Sequence, residues 1–190
     1  MKRDTVLLTT SALLLSLIIL GAYVKIPMPW GVPLTLQPLA LMLIGLTLPA
    51  RYALLTVGSY LLAGFVGLPV FAGGAGGAAY FAGPTGGFLV GFLLMPLATK
   101  MVTGGDSGNC SPLRLVLACL FGLVPLFTCG AYWFAYQNGL TFSKTISVVI
   151  LPFIPGDLVK AGVATALYLK VKERVPVLAT QPEHSLASSK

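Results

Sequence analysis

The stretch VLLTTSALLLSLIILGAYVKI, from Val6 to Ile26, holds no charged residue before Lys25. A helix of about 20 mostly apolar residues crosses the hydrocarbon core of a bilayer, roughly 30 Å thick, so this stretch reads as a membrane-spanning helix. It follows Met1-Lys2-Arg3 and imitates the start of a secretory signal. Its apolar run is about twice the length of a signal's core, and it is kept as the first span. The rest of the chain shares its character. Of 190 residues 56% are hydrophobic and only 9% charged, and the mean hydropathy is +0.91. A water-soluble domain carries about 25% charged residues. This chain has too few to cover itself in water, which excludes a soluble protein and leaves an all-α integral membrane protein.

Further apolar blocks, punctuated by Pro, Gly and single charges, fall at residues 36–50, 52–70, 86–103 and 113–135, with a last span from about Pro155 to Arg174. With the first span they make a six-helix membrane domain over residues 1–175. The polar tail 176–190 shows no apolar periodicity and is expected to be disordered. Six spans put both termini on one side. Lys2, Arg3, Arg51, Lys100, Arg114, Lys170, Lys172 and Arg174 then gather on that side, against Lys25 and Lys144 on the other. Basic residues favour the cytoplasmic loops, so both termini are expected in the cytoplasm and the protein in the cell membrane.

Three segments, 26–38, 69–87 and 137–156, do not read as regular spans, and all fall on the non-cytoplasmic side. The middle one, PVFAGGAGGAAYFAGPTGG, is too apolar for a solvated loop and too rich in glycine for a stable helix. Irregular backbone survives at membrane depth only when it is buried in protein or lines a cavity, which marks this end as the binding end.

Asp157 and Lys160 stand three apart in an apolar span, hence on one helix face. A charge at mid-membrane costs about 2.5–3.5 kcal/mol, so the two face a cavity or each other. Two readings stand side by side: a structural ion pair near the interface, and a polar recognition patch in an apolar pocket. Asp157 falls in the first turn after Pro155, where the helix dipole favours an anion. Gln37 is an uncharged polar candidate that can both donate and accept. Gly73, Gly74, Gly76 and Gly77 let backbone approach a ligand or a neighbouring helix. The aromatics Tyr23, Trp30, Phe71, Tyr80, Phe81, Tyr132, Trp133, Phe134 and Tyr136 map to the outer half as an interfacial belt, from which Tyr80 and Phe71 are candidates to wall a pocket. On the first span Ala12 and Ser16 form a small-residue step suited to close helix contact.

Other chemistry finds little support. The one histidine, His184, lies in the tail, so no metal site or cofactor is implied and no histidine base stands in the membrane. No glycine pair precedes Lys-Ser or Lys-Thr, which removes a nucleotide loop. Cys110, Cys119 and Cys129 imply no disulfide framework. The basic residues are scattered singly at the ends of apolar runs, which argues against nucleic acid.

The segments IPMPWGVPLTLQ (Ile26 to Gln37), GLPVFAGGAGGAAYFAGPTGGFLVGF (Gly67 to Phe92) and LPFIPGDLVKAGVA (Leu151 to Ala164) resemble the BioY family, the biotin-specific substrate-binding components of energy-coupling factor transporters. The similarity runs in order from about residue 12 to 172. The resemblance implies a six-helix membrane protein that captures biotin at its extracytoplasmic face without catalysis. It also implies a partner module, a transmembrane coupling protein with two ATPase subunits. By the same resemblance Asp157 and Lys160 match the family's P-G-D-x-x-K motif, the glycine-rich connection falls on Gly73, Gly74, Gly76 and Gly77, and Ala12 and Ser16 carry the face that docks on the coupling protein. Asp157 is suited to accept the ureido N–H bonds of biotin and Lys160 to donate to the ureido oxygen. A second assignment places Lys160 on the ligand carboxylate. The alternative function is a stand-alone transporter or facilitator of biotin or a similar small vitamin. A third is a ligand-free assembly partner of other membrane proteins.

Overall fold

The first apolar stretch folds as α1, Arg3–Tyr23, in the computed structural model, which describes residues 3–28 and 31–174. Lys2, Trp30 and the 176–190 tail lie outside the described residues. α1 buries Leu7, Leu14 and Ile18 at helical spacing while Leu8, Leu13 and Leu20 stay 60–67% exposed. Large apolar side chains on the outside suit a hydrocarbon surround, not water. After α1 the chain turns through a short antiparallel pair, β1 (Lys25–Ile26) and β2 (Leu34–Thr35), with Lys25 opposite Thr35. The fold is otherwise all-helical, and this pair falls in the segment 26–38 expected to be irregular. Backbone groups between α1 and the next helix satisfy each other as a two-stranded ladder, and Leu36 N–H reaches back to the Gly21 carbonyl at 3.2 Å.

α2, Gln37–Thr47, is the helix the others enclose. Gln37 and every residue from Ala40 to Thr47 are buried, against α1, α5, α6 and α8. A helix apolar on all sides is one surrounded by protein. Pro38 pre-sets its first turn, and Leu48 turns extended before Pro49. At 11 residues it is only about 16 Å long. α3, Ala50–Phe65, follows at once. Segment 66–77 then folds back over the bundle to α4, Ala78–Ala82, a single helical turn inside the stretch expected to hold no helix. Tyr80 and Phe81 lie in that turn, and both rings pack on Phe71.

α5 (Gly86–Thr103) and α6 (Pro112–Asn138) form a long antiparallel hairpin. Glycines set its closeness: a Cβ at Gly91 would lie 2.7 Å from Leu126 Cα, and one at Gly130 would enter the Phe88 ring. α6 runs into the segment expected to be irregular, which is mostly helical: α7 (Phe142–Thr145), a π-helical turn (Ile146–Ile150), then α8 (Ile154–Arg174). Pro152 and Pro155 lack the N–H groups needed to continue a straight helix, and the axis bends by 52° there.

Among the described residues three helices, α1, α5 and α6, are long and apolar enough to cross a membrane alone, and a fourth if the bent α7–α8 pair is one span. The six apolar blocks are all helical, yet α2 is short and enclosed, α3 has 16 residues, and α8 carries charge at both ends. Contacts near one end of the bundle join the end of α1, the starts of α2, α5 and α8 and the end of α3. At the other end Tyr52 donates to Asp4, the Arg114 guanidinium to the Val102 carbonyl, and Lys172 to the Gly108 carbonyl. The helices of these six apolar blocks, α1, α2, α3, α5, α6 and α8, therefore alternate in direction.

Candidate ligand-binding site

At the end where α2 and α8 begin, the bundle holds a small, partly enclosed cavity. Its wall is largely apolar, with Phe88, Leu89 and Phe92 from α5, Leu126 and Phe127 from α6, and Phe153 just before α8. Ala72 and Tyr80 come from the glycine-rich connection, and Val32, Pro33 and Pro38 from the turn into α2. Into this wall are set Thr35, Gln37, Tyr60, Thr85, Asp157 and Lys160.

Asp157 and Lys160 project from the first two turns of α8, on the same face as Ala161, Ala164, Thr165 and Tyr168. They are 1% and 6% exposed, and Lys160 Nζ donates to Asp157 Oδ1 at 2.8 Å. That contact uses one N–H of the ammonium and one oxygen of the carboxylate, and neither side chain makes another hydrogen bond among the described residues. Buried charges of this kind demand further partners. Asp157 Oδ2 and two N–H groups of Lys160 are thus available to a ligand that carries both donors and acceptors.

Gln37, at the start of α2, reaches across to α3, where its amide donates to Tyr60 OH at 2.6 Å. Tyr60 OH donates to the Val70 carbonyl at 3.2 Å, and Thr35 Oγ1 donates to Gln37 Oε1 at 3.1 Å. The network ties the turn before α2, α3 and the glycine-rich connection into one polar edge. Phe71, a candidate to wall the pocket, does not line the cavity and lies behind the roof that Ala72 and Tyr80 form. It is fully buried, stacks on Tyr80 with centroids 5.0 Å apart, and meets Tyr60 edge-on at 5.4 Å. Gly64 makes room for it, since a Cβ there would enter the Phe71 ring.

Of the residues singled out in the sequence, Asp157, Lys160, Gln37 and Tyr80 meet at this cavity. The four glycines do not lie on its wall. Gly73 and Gly74 have φ of +75° and +78° and Gly77 of +95°, so they bend the connection back over the bundle. Gly73 N–H bonds the Ala22 carbonyl at 2.9 Å, Gly77 N–H the Gly64 carbonyl at 2.7 Å, and Tyr23 OH the Pro69 carbonyl at 2.6 Å. Gly76 sits against the Leu68 carbonyl. The glycines thus hold in place the segment that carries Ala72 and Tyr80. Ala12 and Ser16 lie far away on the exposed face of α1, where Ser16 Oγ donates back to the Ala12 carbonyl at 3.0 Å. Tyr60, Thr35, Thr85 and the four cavity phenylalanines were missed. The one signal for Tyr60 was its place at helical spacing with Ala53, Thr56, Val57 and Gly64, the buried stripe of α3.

A model of the BioY family matches residues 1–177. This chain belongs to that family. A biotin transporter BioY of Rhizobium etli is 40% identical over 153 residues, covering 77% of this chain and 81% of the relative. A biotin transporter BioY of Lactococcus lactis subsp. cremoris is 34% identical over 178 residues, covering 88% and 90%. The fold matches a crystal structure of the S-component for biotin from an ECF-type ABC transporter, with a TM-score of 0.81 and 29% identity over 95% of this chain and 99% of that one. BioY relatives are named as transporters, a non-enzymatic role, and with the apolar helices this makes the chain a multi-pass membrane protein.

Proposed function

We propose that this BioY-family chain captures biotin at the extracytoplasmic face of the cell's inner membrane and serves as the substrate-binding subunit of an ATP-driven energy-coupling factor transporter. In this reading six helices, α1, α2, α3, α5, α6 and α8, embed in the bilayer with both termini cytoplasmic, and the cavity opens outward. The observation that carries it is the buried Asp157–Lys160 pair in a largely apolar cavity, with one carboxylate oxygen and two ammonium N–H groups left over. Biotin supplies what that wall lacks. Its ureido N–H groups complete Asp157, its ureido oxygen completes Lys160, and its fused ring and aliphatic chain pack among Phe88, Phe92, Phe127 and Phe153.

The chain itself offers no nucleotide loop, so the energy comes from a transmembrane coupling protein and ATPase subunits. The exposed face of α1 around Ala12 and Ser16, where the serine hydroxyl is turned back on its own helix, is the docking surface; lipid covers the remaining apolar exterior. The test is calorimetry of biotin on the detergent-purified protein, with desthiobiotin, thiamine and riboflavin as competitors. Tight, biotin-selective binding is expected, and a folded, monodisperse sample that takes up no biotin sinks the reading. Liposomes settle the energising step: uptake should require the coupling protein and ATPases, and uptake by this chain alone favours a facilitator.

A further inference from the structure

The Val70 carbonyl is an acceptor only, Val70 is buried, and Tyr60 OH is the one donor that the described residues bring to it. A phenol has a single proton. Once that proton is committed to Val70, Tyr60 can meet Gln37 only by accepting. The Gln37 amide must then point its nitrogen at Tyr60, at 2.6 Å, and its oxygen at Thr35 Oγ1, at 3.1 Å. Thr35 agrees with this polarity, because its oxygen accepts the Gln37 backbone N–H at 3.4 Å while its proton goes to Gln37 Oε1. Turning the amide over would draw the Tyr60 proton to Gln37 and strand a buried carbonyl. Water offers little rescue, since Tyr60 is fully buried and Gln37 is 4% exposed.

From this we infer that Tyr60 is a positioning residue that fixes Gln37 as a donor toward the cavity, so that Gln37 selects for an acceptor atom on the ligand. One of the two amide protons is spent on Tyr60; the other remains for the ligand. The polar wall then reads as acceptor at Asp157 and donor at Lys160 and Gln37. That demands a ligand with N–H donors at one place and two acceptor groups, and a carbonyl or carboxylate oxygen is what Gln37 takes. The inference rests on the biotin reading above, since biotin carries two such acceptors, the ureido oxygen and the carboxylate.

The experiment compares biotin with two analogues by calorimetry on the detergent-purified chain. In 2-iminobiotin a nitrogen donor replaces the ureido oxygen; in norbiotinamine an amine, which at neutral pH only donates, replaces the carboxylate. Wild type should disfavour both, one of them because Gln37 offers it no acceptor. Tyr60→Phe frees the amide to turn, and for that analogue the ratio of biotin to analogue affinity should fall by about fivefold or more, roughly what loss of one hydrogen-bond preference allows. The analogue that responds tells which oxygen sits at Gln37. Gln37→Met should lower the same ratio to a similar level. Biotin binding with both ratios unchanged in Tyr60→Phe and Gln37→Met overturns the inference alone. A wild-type protein that binds no biotin overturns the ligand reading and this inference together.

Discussion

Lys160 Nζ lies 2.8 Å from Asp157 Oδ1 on the inner face of α8, and both side chains are all but sealed from the outside. Such a pair is held at a cost, and its two halves are not equivalent to replace. Asp157→Asn keeps size and hydrogen-bonding capacity while removing the charge. The predicted outcome is a loss of biotin affinity of about tenfold or more, about 1.4 kcal/mol, with folding retained. Calorimetry beside a thermal melt checks both halves, and unchanged affinity in a folded Asp157→Asn protein removes Asp157 from the ligand site.

Lys160→Met leaves the carboxylate buried without its partner. A stability loss of about 3–5 kcal/mol is expected, whereas replacing both charges by Leu and Met should recover most of it and still bind no biotin. Melting temperatures of the single and double variants decide the matter. A double variant as unstable as the single one means that the pair does more than satisfy itself.

Gly64→Ala places a methyl group where the Phe71 ring now lies. The ring must move, and with it the stacked Tyr80 and the roof of the cavity. Overpacking of this kind costs about 1–3 kcal/mol, and biotin affinity should drop in step. Thermal melts and calorimetry on one sample test this; a variant with native stability and binding would show that the roof yields.

Gly73→Ala separates shaping the connection from touching the ligand. At φ +75° an alanine is strained by about 1–2 kcal/mol, and its Cβ would meet the Lys25 amine, away from the cavity. The expectation is a lower melting temperature with biotin affinity within about threefold of wild type, under 0.7 kcal/mol. A large affinity loss at native stability would bring the glycine itself to the ligand.

Trp133 Nε1 donates to the Gly83 carbonyl at 2.8 Å and so pins the turn between α4 and α5 to α6. Gln137 does the same for the Ala82 carbonyl. Trp133→Phe loses one bond, about 0.5–1.5 kcal/mol. Faster amide hydrogen exchange confined to residues 78–87 is the expected signature, and unaltered exchange there would dismiss the pin.

Much of the site was legible because the bilayer makes charge conspicuous. Asp157 and Lys160 stood out as opposite charges in an apolar span, and i to i+3 spacing on a helix brings such side chains together without any knowledge of the fold. Gln37 was legible as an uncharged polar side chain, able to donate and accept, at the head of an apolar run. Tyr60 was not. A tyrosine in an apolar helix reads as an interface residue, and only the approach of α2 and of Val70 turns its hydroxyl inward. The glycines were legible as special backbone but not in their role, because a positive φ says that the chain turns and leaves open what it turns toward.

The sequence by itself determined the solvent, the helical blocks and the charged pair, since each follows from local composition against the cost of leaving polar groups in hydrocarbon. It also marked where α8 begins, because proline ends one helix and starts the next by its own geometry. Only the tertiary structure decided that the 11-residue α2 is the enclosed centre rather than a span of ordinary length, that the helical stretch 143–150 meets α8 at a bend of 52°, and that the glycines hold the roof instead of lining the cavity. Those outcomes depend on contacts between residues far apart in the chain, such as Gly64 with Phe71, Gly73 with Ala22 and Gln37 with Tyr60. No local pattern encodes such contacts, because their free energy exists only when both partners have been brought together.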